Sequence, residues 1–250
     1  MEILILIVVS FLTSTISAVL GMGGGIILLG IMALLIPEGY MAIALHGIIQ
    51  LFSNTIRLYV FRKNINKQII QLFSIGAVIG VMISILIIFL LIQLFHVESA
   101  NKIKVEYLKP LIGLFILWYL FFNKSIKLNN GVSFSFVGII SGISSIFIGA
   151  TGPLIAPFFL NNNLSKKEII ANKAFCQTII HLTKIPLFIY FFKVNYLNEF
   201  NIFIPVIFSV FAGTLLGKKV LNFIPEVLFN KLFKFTLSVI ALKLIIESLV

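Results

Sequence analysis

The 250-residue sequence predicts an all-α integral membrane protein of about eight transmembrane helices in two homologous halves. Three observations carry that expectation. Apolar residues make up 60% of the chain and charged residues 11%, with a mean hydropathy of +1.15, a balance that cannot make a soluble surface. Two glycine breaks, Gly21-Met-Gly-Gly-Gly25 and Gly149-Ala-Thr-Gly-Pro153, interrupt apolar runs 128 residues apart. Each break is followed by an apolar segment with the same polar residue spacing.

In chain order, apolar runs fall at 2–36, 40–61, 69–95, 108–122, 132–160, 169–193, 199–217 and 228–249. All read as helices, because strand alternation is absent and a spanning segment must satisfy its own backbone. The first and fifth runs hold the glycine breaks, so each is expected to be a Gly/Pro-broken helix or a helix plus a re-entrant piece. Residues 2–20 lack a basic n-region and run on into apolar sequence, so they read as a retained segment rather than a signal peptide. Polar connections lie at 62–67, 96–107, 123–131, 161–168 and 193–199. The stretch 123–131 is the natural seam between a first membrane repeat, residues 1–128, and a second, residues 129–250. Gly76 and Gly80 in the third run match Gly213 and Gly217 in the seventh, a spacing that lets helix backbones approach closely. Trp118, Tyr119 and Phe122 read as an interfacial belt.

Nineteen Lys and Arg stand against eight Glu, with no Asp, for a net charge of +11. The basic residues are scattered through short loops and segment ends, where anionic lipid headgroups attract them, so nucleic acid is not the expected partner. Clusters at Arg62, Lys63, Lys67 and at Lys124, Lys127 would put those loops in the cytoplasm. Lys166, Lys167, Lys218 and Lys219 would then face outward in a simple eight-span chain, whereas an inverted arrangement of the halves would move them. The single Cys176 rules out an internal disulfide framework and a multi-cysteine metal site.

The internal repeat is sharpest after each break. His46, Gln50, Asn54 and Arg57 are spaced by four, four and three; Lys173, Gln177, His181 and Lys184 repeat that spacing at a constant offset of 127. On a helix each set forms one polar stripe along an apolar body. A basic side chain at the bilayer centre costs roughly 3 kcal/mol on the insertion scale, while each central Leu, Ile or Phe returns only about 0.3–0.6 kcal/mol. Arg57 and Lys173 are near enough to segment ends to snorkel to the interface. His181 and Lys184 lie near the middle of their run and are harder to excuse. The breaks are also more than packing devices, since four glycines in five positions destabilise a helix by roughly 1 kcal/mol each relative to Ala. A helix that restarts after a break presents free N–H groups and a partial positive charge, which together with a nearby Lys favour an anion.

The stretches Gly21-Met-Gly-Gly-Gly-Ile-Ile-Leu-Leu-Gly30, Gly149-Ala-Thr-Gly-Pro-Leu-Ile-Ala-Pro157 and Ala171-Asn-Lys-Ala-Phe-Cys-Gln-Thr178 resemble the TauE/SafE family of membrane permeases, often called sulfite exporters. The resemblance covers nearly the whole chain. It departs at Gly30, where the family often has proline, and at Thr151, which replaces a usual glycine. The resemblance implies transport of small anions, typically sulfur-containing oxyanions or organosulfonates such as sulfite or sulfoacetate.

The resulting expectation is a secondary permease in a cell membrane, multi-pass, in a bacterial inner membrane, with the bilayer, a small anion and a homo-oligomeric copy as candidate partners. No GxxxxGK[ST] loop is present, so ATP hydrolysis by this chain is not expected, nor is any cofactor or metal. Lys184 and Arg57 would attract the anion, with Gln50, Asn54, Gln177 and His181 hydrogen-bonding it. Backbone N–H groups at Gly23, Gly24 and Gly25 and at Thr151 and Gly152 would complete the cradle, Pro153 donating nothing. His46 and His181 are the candidate proton carriers, being the central titratable groups in a chain whose Glu residues lie at segment ends or loops. The competing classes are a membrane-embedded enzyme acting on a lipid or prenyl substrate and a passive anion channel. Against the enzyme, clustered aspartates, HExxH and GxSxG are all missing, and no catalytic residue is assigned.

Overall fold

The computed structural model describes residues 2–36, 38–102, 114, 117, 130–149, 151–160 and 164–246. Most of the expected span at 108–122, the aromatic belt, and Lys124 and Lys127 lie outside the described residues. Nine α-helices occur among those described: α1 Glu2–Leu20, α2 Gly24–Leu35, α3 Gly39–Phe61, α4 Lys67–Leu94, α5 Asn130–Ile148, α6 Gly152–Leu160, α7 Lys166–Phe192, α8 Phe200–Asn222 and α9 Glu226–Ile246. No strand appears among them. Among the described residues, four stretches are long and apolar enough to cross a membrane: Ile3–Leu20, Lys67–Leu94, Lys166–Phe192 and Tyr196–Asn222.

Both breaks fall where the glycines are. Gly21, Gly23 and Gly149 have φ of 69°, 92° and 83°, left-handed values that only glycine adopts without strain. At the first break the chain reverses and α2 returns along α1. A Cβ on Gly24 would lie 1.9 Å from the Thr13 carbonyl oxygen, so only a bare backbone fits that crossing.

Helix starts are set by local polar residues. Asn66 caps α4 by accepting from the N–H groups of Gln68 and Ile69, and Ser165 with Glu168 forms a capping box at α7. Asn172, one turn into α7, accepts from Asn66 N–H at 2.8 Å and donates to the Asn64 carbonyl at 3.4 Å. That side chain ties the start of α7 to the end of α3.

Three helix pairs organise the bundle. In the first, Gly76 and Gly80 of α4 meet Ser135 and Ile139 of α5, while Gly138 and Gly142 meet the α4 backbone at Phe73 and Ala77. The Ser135 hydroxyl bonds the Leu72 carbonyl and the Ser84 hydroxyl bonds the Gly142 carbonyl, so contacts advance together and the two helices run parallel. The second pair, α1 and α8, is built likewise: Ser209 bonds the Ile7 carbonyl, Thr15 the Gly213 carbonyl, and Gly217 lies against Ala18. The third pair, α3 and α7, is antiparallel. Asn64 and Asn66 meet Asn172 at one end, and Gly47 meets the Lys184 side chain towards the other.

These directions resolve the lysine conflict raised by the sequence. Lys218 donates to the Val60 carbonyl, the backbone of Lys166 donates to Glu226, and the Lys166 ammonium bonds the Ile224 carbonyl. Arg62, Lys63, Lys67, Lys166, Lys167, Lys218 and Lys219 are therefore gathered at one end of the bundle, not split between two. The opposite end carries Glu38, Glu98, Lys102, Lys193 and Glu199.

Candidate functional site

The two polar stripes lie on the facing sides of α3 and α7, and all eight of their side chains are buried. Arg57, Lys173 and Lys184 are 2%, 0% and 1% exposed. The expectation that Arg57 and Lys173 snorkel to the interface is therefore corrected. Arg57 turns inward because the break leaves acceptors there: the last four carbonyls of α1 have no partner within the helix. Arg57 Nη1 donates to one of them, Ser17, at 3.1 Å, and Nη2 donates to Asn54 Oδ1 at 2.6 Å. Asn54 in turn donates to the Gln50 carbonyl at 2.7 Å, which fixes the amide that holds the guanidinium.

Lys184 repeats the device at the second break. Its Nζ donates to the carbonyl of Gly149, just beyond the end of α5, at 3.3 Å, and lies 5.3 Å from the centre of the Phe188 ring. Each stripe thus places one cation at the carbonyl end of a broken helix, where the helix dipole is negative.

The glycines after the breaks make room for glutamines. A Cβ on Gly25 would sit 3.3 Å from the Gln50 amide, and one on Gly152 would sit 2.6 Å from Gln177 Nε2. Gly25 and Gly152, like Gln50 and Gln177, are 127 residues apart, so the same glycine–glutamine contact occurs twice. Between these contacts lies a histidine pair. His46 and His181 are 6.0 Å apart between ring centroids and edge-on. His46 Nε2 is 2.8 Å from the Gly25 carbonyl, and since a carbonyl only accepts, that nitrogen carries the hydrogen. Nδ1 of both rings is buried with no hydrogen-bond partner among the described residues.

A cavity joins these groups. Its walls include Ser17, Gly25, Gln50, Arg57, Gln177 and His181, with Gly23, His46 and Gly152 completing the polar part. The free volume is about 20 Å³, room for about one water. A polyatomic anion enters only if lining groups withdraw. Four of the expected residues are not in the wall: Asn54, which holds Arg57, Lys184, which donates to the Gly149 carbonyl, Gly24, which faces Thr13 and Ser17, and Thr151. Thr151 is buried outside the wall with its hydroxyl unpartnered.

Sequence reading missed the contributions of α1 and of Lys173. Ser10, Ser14 and Ser17 recur at helical spacing on α1, all buried, and Ser14 lies 3.5 Å from Ser53 of α3; that spacing was a legible signal for Ser17. Lys173, a stripe member given no binding role, has its Nζ 4.9 Å from the centre of the Phe233 ring and no hydrogen-bond partner among the described residues. The glutamates whose side chains are described, Glu38, Glu98, Glu168, Glu199 and Glu226, all sit in the outer connections or helix ends, so none of them neutralises the three buried cations. No group of three or more His, Cys, Asp or Glu side chains able to hold a metal occurs among the described residues.

A family model described as sulfite exporter TauE/SafE matches residues 6–244. No curated protein and no solved structure matches the chain.

Proposed function

Since the chain belongs to the TauE/SafE sulfite exporter family of membrane transporters, we propose that it is a secondary permease for small anions, sulfur oxyanions or organosulfonates such as sulfite or sulfoacetate. One observation carries this reading: Arg57 and Lys184 are buried beside a polar cavity with no described carboxylate to neutralise them. Burying an ion costs several kcal/mol unless it is paired, so such cations persist where an anion uses them. Arg57, Gln50, Gln177 and His181 hold the anion at the cavity wall, Lys184 adds charge from beside it, and Gly23, Gly25 and Gly152 bring the positive ends of α2 and α6 to the same cavity. His46 and His181 carry the coupled proton; with Nε2 of His46 donating to Gly25, its unpartnered Nδ1 is a buried acceptor.

The halves are inverted repeats of at least four helices each. Support comes from α3 and α7, which share the 127-residue offset and run antiparallel. The basic end then faces the cytoplasm of a bacterial inner membrane, by the excess of Lys and Arg in its connections. An enzyme is disfavoured because, of the three candidate nucleophiles near a histidine in sequence, Ser53 lies 3.5 Å from Ser14, Thr178 donates to the Ala174 carbonyl, and Cys176 is packed in an apolar cluster.

The test is sulfite flux into proteoliposomes. Replacing Lys184 by Met is expected to lower kcat/KM by about tenfold or more, the worth of a charge-assisted contact. Unchanged flux would remove Lys184 from the site. An absence of flux with sulfite, sulfate and sulfoacetate in the unaltered protein would refute the permease reading itself.

A further inference from the structure

Lys173 is the one stripe cation that the central cavity leaves unused. It stands seven residues after Lys166, about 10.5 Å along α7 from the basic end, and eleven before Lys184, about 16.5 Å further in. Its neighbour Asn172 binds Asn64 and Asn66 at that same end. The ammonium is wholly buried and has no hydrogen-bond partner among the described residues; its visible support is the face of Phe233. An aromatic face offsets only part of the cost of taking an ammonium out of water.

Arg57 is within electrostatic reach of Lys173, and its Nε is likewise buried without a partner. Nη1 and Nη2 of Arg57 are taken by neutral acceptors, so neither cation is neutralised by the other's surroundings. Two basic groups in a dry compartment disfavour each other's charge, and both retain unused donors. An anion between them favours both charges and satisfies Nζ and Nε together. Phe233 closes this place from α9 and also lies against the first break, where a Cβ on Gly21 would be 3.7 Å from its ring.

Resting on the permease reading, we propose that Lys173 and Arg57 form a second anion-binding position, on the basic-end side of the cavity, taking a small oxyanion as it leaves or enters from that end. At the place on α3 that corresponds to Lys173 stands His46, which is bonded to Gly25. The second position therefore exists on one side only.

That asymmetry is what the experiment reads. Sulfite flux is measured in vesicles of both orientations for the unaltered protein, Lys173→Met and Lys173→Arg. Lys173→Met is expected to raise the half-saturating sulfite concentration about tenfold on the basic side, leaving the other side within about twofold, and Lys173→Arg to restore most of the loss. Lys173→Met also removes a buried amine that has no hydrogen-bond partner among the described residues, so its melting temperature is expected to rise, separating lost transport from lost fold. Equal half-saturation changes on both sides, or none, would overturn the second position alone. No flux of sulfite, sulfate or sulfoacetate in the unaltered protein would overturn it together with the permease reading.

Discussion

Replacing Gly152 by alanine puts a Cβ 2.6 Å from Gln177 Nε2, and replacing Gly25 puts one 3.3 Å from the Gln50 amide. Both glutamines must then withdraw from the cavity, Gln177 further. Sulfite affinity, read as the concentration that half-saturates a thermal shift, is expected to weaken in both variants and more in Gly152→Ala, by about tenfold. A second residue-scale test concerns His181. His181→Gln keeps a hydrogen-bonding side chain but cannot carry a proton, so stimulation of flux by an imposed pH gradient is expected to vanish while exchange of anion for anion survives. At this scale the sequence was informative because each stripe obeys helical spacing and recurs at one offset. What it could not give was direction of reach. Arg57 has the length to snorkel, and only the unsatisfied carbonyl of Ser17 decides that it turns inward.

Helix pairs depend on glycines in a graded way that geometry predicts. A Cβ on Gly76 would meet the Ser135 carbonyl oxygen at 1.9 Å and one on Gly80 the Ile139 carbonyl oxygen at 2.2 Å, whereas one on Gly39 meets nothing within 4 Å. Backbone cannot swing aside as a side-chain tip can. Gly76→Ala is therefore expected to destabilise the purified protein by roughly 1–3 kcal/mol or more, with Gly39→Ala near neutral, as read from melting temperatures in detergent. The GxxxG spacing of both pairs was visible in the sequence. Their partners were not, because spacing says that a helix can be approached closely and nothing about which helix approaches. The returning course of α2 was hidden for a related reason: two left-handed glycines, Gly21 and Gly23, reverse the chain, and their φ angles are not written in composition.

Across the whole molecule, the antiparallel α3–α7 pair sets which connections share a side. Single cysteines at Lys63 and Lys167 are expected to react with an impermeant thiol reagent only from the cytoplasmic face, and cysteines at Glu98 and Asn195 only from the opposite face. Native Cys176 is fully buried and gives no background. Labelling of Lys63 and Lys167 from opposite faces would break the inverted arrangement. Composition established membrane insertion, but a count of apolar runs led to a lysine conflict because it treats every run as one complete crossing. The pairing of α1 with α8 joins residues far apart in the chain, Thr15 with Gly213 across 198 positions. At about 5–20 residues per second, α1 emerges from the ribosome roughly 10–40 s before the surface that covers it has been made. Its hydroxyl-bearing side must wait in the bilayer or under an insertion chaperone for that interval, so the last helices to be synthesised decide whether the first one is kept.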